Sequence, residues 1–411
     1  VRRIANIFLI LFLCAGIVSL VNAVVLLLAT SSPLAAMRSL LALLVGLAAI
    51  PMYLCLGIDK RLPKWIFLPQ LLFIFWSIFN LWPLPLMFDR THYMLPAALV
   101  QVLLGVAPLL YLKKKSGGQW LLPADMFSKP FFGWKHSVTF FVANLIISPL
   151  VLAYMVFSFA SLQLYEQSGG FARLWPSGLQ MTEKIYRRAD KEIHLTGMIH
   201  IADKAYYDEV LKSLSSDRTI VLAEGVTDED RLLTNHFSYG NLAQGLGLAS
   251  QETLVYGGRM IAPEEMQSTT PSTPMDADYH ILRADIDVKA FHPKTIEFLN
   301  IIGEQFLGSD SLAEGLHNYL TWIKKNSPEI TTEEIMMDIL HKRNREVIHR
   351  MRQALDHYDT IIIPWGALHM PEIEAAVVEK NFQLVETRQR TSIDFKKMLH
   401  AYRSRKGKDK K

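Results

Sequence analysis

Five apolar runs crowd the first 165 residues: Ile4–Leu28, Leu34–Ile58, Trp65–Phe88, Tyr93–Leu112 and Ser137–Tyr165. Each is long enough to cross a bilayer as a helix, which takes about 20 residues. The first far exceeds the apolar run of about 7–15 residues in a cleaved signal peptide and reads as a retained anchor. Interior prolines (Pro51, Pro69, Pro83, Pro108, Pro149) would break soluble helices but are tolerated in a membrane. Trp65, Trp82, Tyr93, Tyr111, Trp134 and Tyr165 fall near segment ends, where interfacial aromatics belong. Asn22, Gln70, Asn80, Gln101 and Asn144 have no intramembrane charged partner in the sequence and read as interhelical hydrogen-bonding groups rather than a transport path.

Beyond residue 165 the texture changes. Residues 166–190, with Gly169, Gly170, Pro176 and Gly178, read as a linker. From Lys191 short apolar runs alternate with helical spacing: strands at Glu192–Met198, Thr219–Ala223, Thr360–Pro364 and Gln383–Thr387, helices at Asp203–Leu214, 229–248, 294–307, 311–325, 331–357 and Glu372–Lys380, and a long loop over 257–280. Thr331-Thr332-Glu333-Glu334 is a capping box that starts one helix. The expected architecture is an N-terminal transmembrane bundle of about five spans (1–165), the linker, an α/β domain with a mainly parallel sheet (191–395) and a basic, disordered tail (396–411).

Composition sharpens this division. The chain of 411 residues has a formal net charge of +4, but residues 1–165 carry 12 basic and three acidic side chains, while 166–395 carry 23 basic and 35 acidic. The basic excess therefore belongs to the apolar half, and the acidic domain argues against nucleic-acid binding. Ten of those basic residues (Arg2, Arg3, Lys60, Arg61, Lys64, Lys113, Lys114, Lys115, Lys129, Lys135) fall on one face of a five-span arrangement. The positive-inside rule then predicts an integral plasma- or inner-membrane protein with its N-terminus in the cytoplasm and its C-terminal domain outside. The eight basic residues of the tail could touch anionic lipid headgroups.

Candidate chemistry lies in an internal repeat. Ile193-His-Leu-Thr-Gly197-Met-Ile-His200, a helix and Ile220-Val-Leu-Ala-Glu224 are echoed by Ile361-Ile-Ile-Pro-Trp-Gly366-Ala-Leu-His369, a helix and Gln383-Leu-Val-Glu386. Each unit reads strand, Gly-x-x-His, helix, strand, Glu. Ligand sites in parallel α/β sheets lie beyond the carboxyl ends of the strands, which would gather His200, Glu224 and His369 into one crevice. The glycines are expected to let the backbone turn as it leaves each strand. Two imidazoles and a carboxylate suit manganese, cobalt or zinc, and both cysteines, Cys14 and Cys55, lie in apolar runs away from this domain. Arg343 and Asn344 could clamp a carbonyl or carboxylate, or simply belong to a solvated helix face. Asp285 and Asp287 could ligate or serve a turn. His194 reads as a packed strand residue, and His341, His349 and His357 as surface positions.

The motifs Gly197-Met-Ile-His200-Ile-Ala-Asp, Val221-Leu-Ala-Glu224, Arg343-Asn344 and Gly366-Ala-Leu-His369-Met-Pro resemble those of the TraB/Tiki family, over about Lys191–Arg388. That family includes bacterial pheromone-shutdown proteins and animal Wnt-inactivating membrane proteases, and is related to the erythromycin esterase and ChaN-like fold. The resemblance implies a metal-dependent hydrolase, a peptidase acting on an extracytoplasmic peptide or protein. It makes His200, Glu224 and His369 metal-binding or catalytic residues, with Arg343 and Asn344 in support. The alternative it leaves is a non-catalytic protein that sequesters a signalling peptide. Five spans before the domain, rather than one anchor after it, depart from the animal proteins.

Overall fold

Backbone groups in hydrocarbon find partners only within their own helix, so the apolar runs fold as helices. In the structure, a computed structural model, α1 spans Arg2–Leu28, α2 Ala35–Ile58, α3 Lys64–Phe79, α4 Arg90–Lys115 and α5 Trp134–Gln167. It describes the chain except for residues 30, 80, 82, 84, 85, 87–89, 215–217, 235–242, 244, 245, 247, 252, 253, 269–276, 308–311, 327–330 and 409–411. Four of the helices are long and apolar enough to cross a membrane, and α3 is a shorter apolar helix of 16 residues. The third run, expected to continue to Phe88, is helical as far as Phe79, and most of residues 80–89 lie outside the described residues.

The chain divides into two units, Val1–Leu162 and Gln163–Lys411. In the first, small residues let helices approach closely: a Cβ on Gly105 of α4 would come within 3.0–3.3 Å of Leu13 on α1. Three of the polar intramembrane residues form the interhelical bonds expected of them. Gln70 donates to the Leu104 carbonyl (2.9 Å), Gln101 to that of Phe12 (3.3 Å), and Asn144 accepts from the Tyr53 hydroxyl. Asn22 is buried, and Asn80 lies outside the described residues.

The second unit is a mixed α/β domain with a mostly parallel sheet. Its strands are β1 (Ala172–Trp175), β2 (Gly178–Arg188), β3 (Lys191–Met198), β4 (Ile201–Ala202), β5 (Thr219–Ala223), β6 (Ala249–Ser250), β7 (Arg259–Met260), β8 (Tyr279–Arg283), β9 (Thr360–Gly366) and β10 (Gln383–Asp394). Strands β3, β9, β5, β8 and β7 pair in parallel in that order. Beyond β3 the sheet turns antiparallel: β2 carries β10 along one edge, and β1 and β3 along the other. The helices of this unit are α6 (Lys204–Lys212), α7 (Pro263–Ser268), α8 (Pro293–Ile301), α9 (Leu312–Asn326), α10 (Thr332–Met336), α11 (Arg343–Ala354), α12 (Met370–Glu379) and α13 (Phe395–Lys408). Side chains of β3, β5 and β9 such as Leu195, Ile220, Leu222, Ile361, Ile363 and Trp365 form the main core with Tyr206 and Val210 of α6, Val347 and Met351 of α11, and Ile373 and Val377 of α12. These continuous apolar runs are what a strand covered on both faces requires.

Several expectations give way here. The 166–190 stretch, read as a linker from its glycines, holds the end of α5 and strands β1 and β2; Gly169, Gly170 and Gly178 have positive φ and make its turns. The 257–280 loop contains β7, α7 and the start of β8. At 229–248 the first six residues form a turn and loop, because Asp228 accepts the amide N–H groups of Leu232 and Leu233 in place of a helical ladder. Most of the remainder of that segment lies outside the described residues. The basic tail is helix α13 as far as Lys408: Asp394 caps it by accepting from the Lys396 and Lys397 amides, and Phe395, Met398, Leu399 and Tyr402 recur at helical spacing.

Candidate active site

Register brings four strand ends to one edge. Met198 of β3 pairs with Gly366 of β9, Val221 of β5 with Ile362 of β9, and Ala223 of β5 with Arg283 of β8. His200, His369, Glu224 and Asp285 each follow one of those strands by one to three residues. Glu224 is nearly buried, at 5 % side-chain exposure, and accepts from the Gly366 amide (2.8 Å) and from Arg343 Nη2 (2.8 Å). Asp285, fully buried, accepts from Arg343 Nε (3.0 Å) and Nη2 (2.7 Å) and from the amides of Gly225 and Ile286 (2.9 Å each). Two carboxylates thus share one guanidinium, whose Nη1 lies 3.4 Å from His369 Nε2.

Arg343 and Asn344 reach the site from the start of α11, directly after a π-helical segment, Met337–Lys342, that interrupts the regular ladder. Such segments often mark functional positions because they rotate the following side chains onto a new face. Asn344, fully buried, accepts from His369 Nδ1 at 2.7 Å and donates to Glu372 Oε2 at 2.6 Å. Glu372 also meets His341 Nδ1 at 2.9 Å. Trp365 walls the site, its indole N–H bonded to the Leu222 carbonyl, with its ring edge-on to His369 (5.1 Å) and 5.4 Å from the Arg343 guanidinium.

The electrostatics follow from this packing. Burial pushes the Glu224 carboxyl up, but the Arg343 guanidinium, with lesser help from His369, His200 and the Gly366 amide, holds it below the ordinary carboxylate range. Burial drives the His369 imidazole down to about 4, with Glu224 opposing the shift and Arg343 adding to it. Burial would also weaken the Arg343 cation, yet the bond to Asp285 and the charge of Glu224 hold its proton more firmly than usual. The centre at neutral pH is therefore an ionised carboxylate, a fixed guanidinium and a neutral imidazole.

The sequence-derived candidates fare differently. Glu224, Arg343, Asn344 and His369 converge. His200 is exposed just past β3 and acts on both Glu224 and His369 through its charge. Of the two undecided aspartates, Asp285 joins the site, whereas Asp287 caps a turn, accepting from Thr227, Glu229 and Lys289. Glu386, the counterpart of Glu224 in the repeat, lies within β10, 48 % exposed and paired with Arg388. Neither glycine of the Gly-x-x-His motifs has positive φ: Gly197 lies within β3, whereas Gly366 ends β9 and starts a turn, its carbonyl accepting from the His369 amide (2.9 Å). Sequence reading missed Trp365, Glu372 and Tyr256, whose phenol is pushed up to about 12 by burial and by the charge of Glu224. For Glu372 a signal was present, since it follows His369 in the first turn of α12.

A divalent ion held by His200, Glu224 and His369 meets an obstacle. His369 is oriented as a ligand would be, with Nε2 left as the acceptor, but both Glu224 oxygens are engaged, and the Arg343 cation lies against the two atoms the ion would need. Among the described residues no group of three or more His, Cys, Asp or Glu side chains is spaced to hold a metal ion. As arranged, these residues do not fit one. No protein-family profile, curated protein or solved structure matches the chain.

Proposed function

We propose that the second unit is a hydrolase domain carried by a membrane-embedded helical unit, acting on a peptide or protein through Glu224 and His369, with Arg343, Asn344 and His200 in support. The motif resemblance to the TraB/Tiki family favours the same residues. The observation that carries the reading is the approach of two acceptors, Glu224 Oε1 and His369 Nε2, to 3.7 Å in a mostly buried site. A water about 2.8 Å from each donates one hydrogen to each, leaving its lone pairs free for a carbonyl carbon. The Arg343 cation, fixed before the reaction begins, offsets the charge that develops on the carbonyl oxygen. As the water's oxygen bonds to the carbonyl carbon, its proton passes to Glu224 or His369. From there it reaches the leaving amine as the C–N bond breaks, while exposed His200 supports the charge of Glu224. We place this domain outside the cell, on the strength of the ten basic residues that a five-span arrangement puts on one cytoplasmic face.

The test is cleavage of a peptide mixture by the full-length protein in detergent, read as new termini by mass spectrometry. Cleavage is expected, with a drop of about 10²–10⁴-fold in Glu224→Gln while peptide binding persists. Peptides bound and released uncut under every condition would overturn catalysis in favour of sequestration. Cleavage is also expected to survive a chelator. Loss on chelation that manganese, cobalt or zinc restores would replace the guanidinium-centred reading with the metal-dependent one.

A further inference from the structure

The first unit contains a groove that the chemistry of the second does not use. It is a cavity of about 1240 Å³ between α2, α3 and α5, larger than the roughly 300–1,000 Å³ of ordinary small-molecule sites. From His136 to Met155, both on its wall, α5 rises roughly 28 Å at 1.5 Å per residue. That matches the hydrocarbon thickness of a bilayer, about 30 Å. The wall is overwhelmingly apolar, with Leu68, Leu72, Phe75, Ile147 and Val151 among its residues. Thr139, Ser148 and the hydrogen-bonded pair Tyr53 and Asn144 are the polar groups along it.

One end of the groove is cationic. Lys64, Lys135 and His136 line it, and the Lys60 ammonium lies 3.9 Å from the Cβ position of Gly133, two residues before Lys135. His136 bridges this end, its Nε2 2.9 Å from the Leu56 carbonyl oxygen and its Nδ1 3.0 Å from Lys64 Nζ. Among the described residues no carboxylate pairs with Lys60, Lys64 or Lys135. Nearby Asp59 is consumed by Arg61, through bonds of 2.8 and 2.6 Å, and its side chain is fully buried. The N-termini of α3 and α5 open at this same end, adding the positive ends of two helix dipoles. An apolar trough of bilayer length, with lysines at its mouth that no carboxylate among the described residues neutralises, is complementary to one kind of ligand. That ligand has a long hydrocarbon part and an anionic head.

We propose that the groove is a binding site for an anionic glycerophospholipid, its phosphate at Lys60, Lys64 and Lys135 and its acyl chains along α2, α3 and α5. Zwitterionic lipids can fill the apolar part but gain less from the mouth, because their own ammonium offsets the charge of the phosphate. Each lysine near an anionic headgroup is worth about fivefold in affinity.

The experiment is native mass spectrometry of the full-length protein in detergent, with phosphatidylglycerol, phosphatidylcholine or inorganic phosphate added. Phosphatidylglycerol is expected to remain bound with a preference over phosphatidylcholine on the order of 100-fold, about fivefold for each of the three lysines. Inorganic phosphate alone should not be retained. The preference should fall by about 25-fold, to the share left by Lys60, in Lys64→Ala/Lys135→Ala, and Ile147→Trp, which fills the trough, should reduce retention of both lipids. Should the double variant fail to fold, Lys135→Glu changes only an exposed side chain and should by itself reverse part of the preference. Equal retention of the two lipids by the parent protein, or a preference unmoved in these lysine variants, would overturn the proposal. Retention of inorganic phosphate to the same extent as the lipid would replace it with a free-anion site.

Discussion

A carboxamide can present either end to a neighbour, and at Asn344 the choice is made by Glu372. The Glu372 carboxylate only accepts, so the amide NH₂ of Asn344 turns toward it and the amide oxygen toward His369. His369 must then carry its proton on Nδ1 and leave Nε2 bare beside Glu224. In Glu372→Gln the amide partner can donate or accept, so Asn344 is free to flip. The ¹⁵N shifts of the His369 ring should change from one Nδ1-protonated tautomer to a mixture, and turnover should fall by about 10–100-fold, as for other partners that orient a histidine. A single unchanged tautomer would mean that Glu372 does not set it. The same imidazole links the site to stability. Its folded-state pKa of about 4 lies below the ordinary value of 6.5, so its contribution is complete above pH 6.5 and is lost as pH falls toward 4, on the order of 3 kcal/mol in all. The thermal midpoint of the full chain should therefore drop less between pH 7.5 and 5 in His369→Gln than in the parent; parallel drops would exclude His369 as a source of acid sensitivity. Much of this centre was legible residue by residue, because Glu224, Arg343, Asn344 and His369 carry chemistry in recognisable motifs. Trp365 was hidden, since an aromatic in an apolar strand looks like core until its neighbours are known.

At the scale of elements, the site exists because parallel strands end together. The apolar runs at Thr219–Ala223 and Thr360–Pro364 announced β5 and β9, and parallel pairing then required Glu224 and His369 to emerge at one edge. The antiparallel flank was not legible. β1 and β2 alternate polar and apolar residues and are broken by glycine, the same signs that mark a linker, and only the pairing of β1 with β2, and of β2 with β3 and β10, makes them sheet. Of the glycines in the two Gly-x-x-His motifs, Gly366 opens a turn and Gly197 does not, and neither uses positive φ. Gly197 instead lets β3 lie close to the chain segment around β1: a Cβ there would come within 3.1 Å of the Thr182 carbonyl oxygen and 3.2 Å of Phe171. Those neighbours include backbone atoms tied into the sheet by the bond from the Thr182 amide to the Phe171 carbonyl. Gly197→Ala should therefore cost about 1–3 kcal/mol, measurable as a lower thermal midpoint. Gly366→Ala, whose nearest contacts are an ordinary 3.4–3.9 Å, should cost less in stability and act instead on the placing of Glu224 and His369. The reverse ranking in stability would refute this division of roles.

For the whole molecule the decisive quantity is parity. Among the described residues of the first unit, α3 is the apolar α-helix shorter than a bilayer requires: its 16 residues rise roughly 24 Å, against a core of about 30 Å. If α3 crosses, five spans leave the second unit on the side opposite the N-terminus. If it does not, four spans return that unit to the cytoplasm. The charges discriminate. With five spans, Arg2, Arg3, Lys60, Arg61, Lys64 and the lysines at 113–115, 129 and 135 share one face; with four, Lys113–Lys115, Lys129 and Lys135 move to the other, and the asymmetry that orients membrane proteins disappears. A short span is tolerated at a modest cost through local thinning of the bilayer or snorkelling of flanking lysines, and Lys60 and Lys64 stand at the start of α3 to do so. The charge term therefore outweighs the length term, and five spans are expected. A cysteine at Glu379, whose side chain is 71 % exposed on α12, should then react with a membrane-impermeant maleimide in intact cells, in a background with Cys14 and Cys55 replaced by serine. A cysteine at Lys129, in the loop between α4 and α5, should react only after lysis. Labelling of Lys129→Cys in intact cells, with Glu379→Cys reacting only once the cells are opened, would place the second unit in the cytoplasm and return α3 to one leaflet.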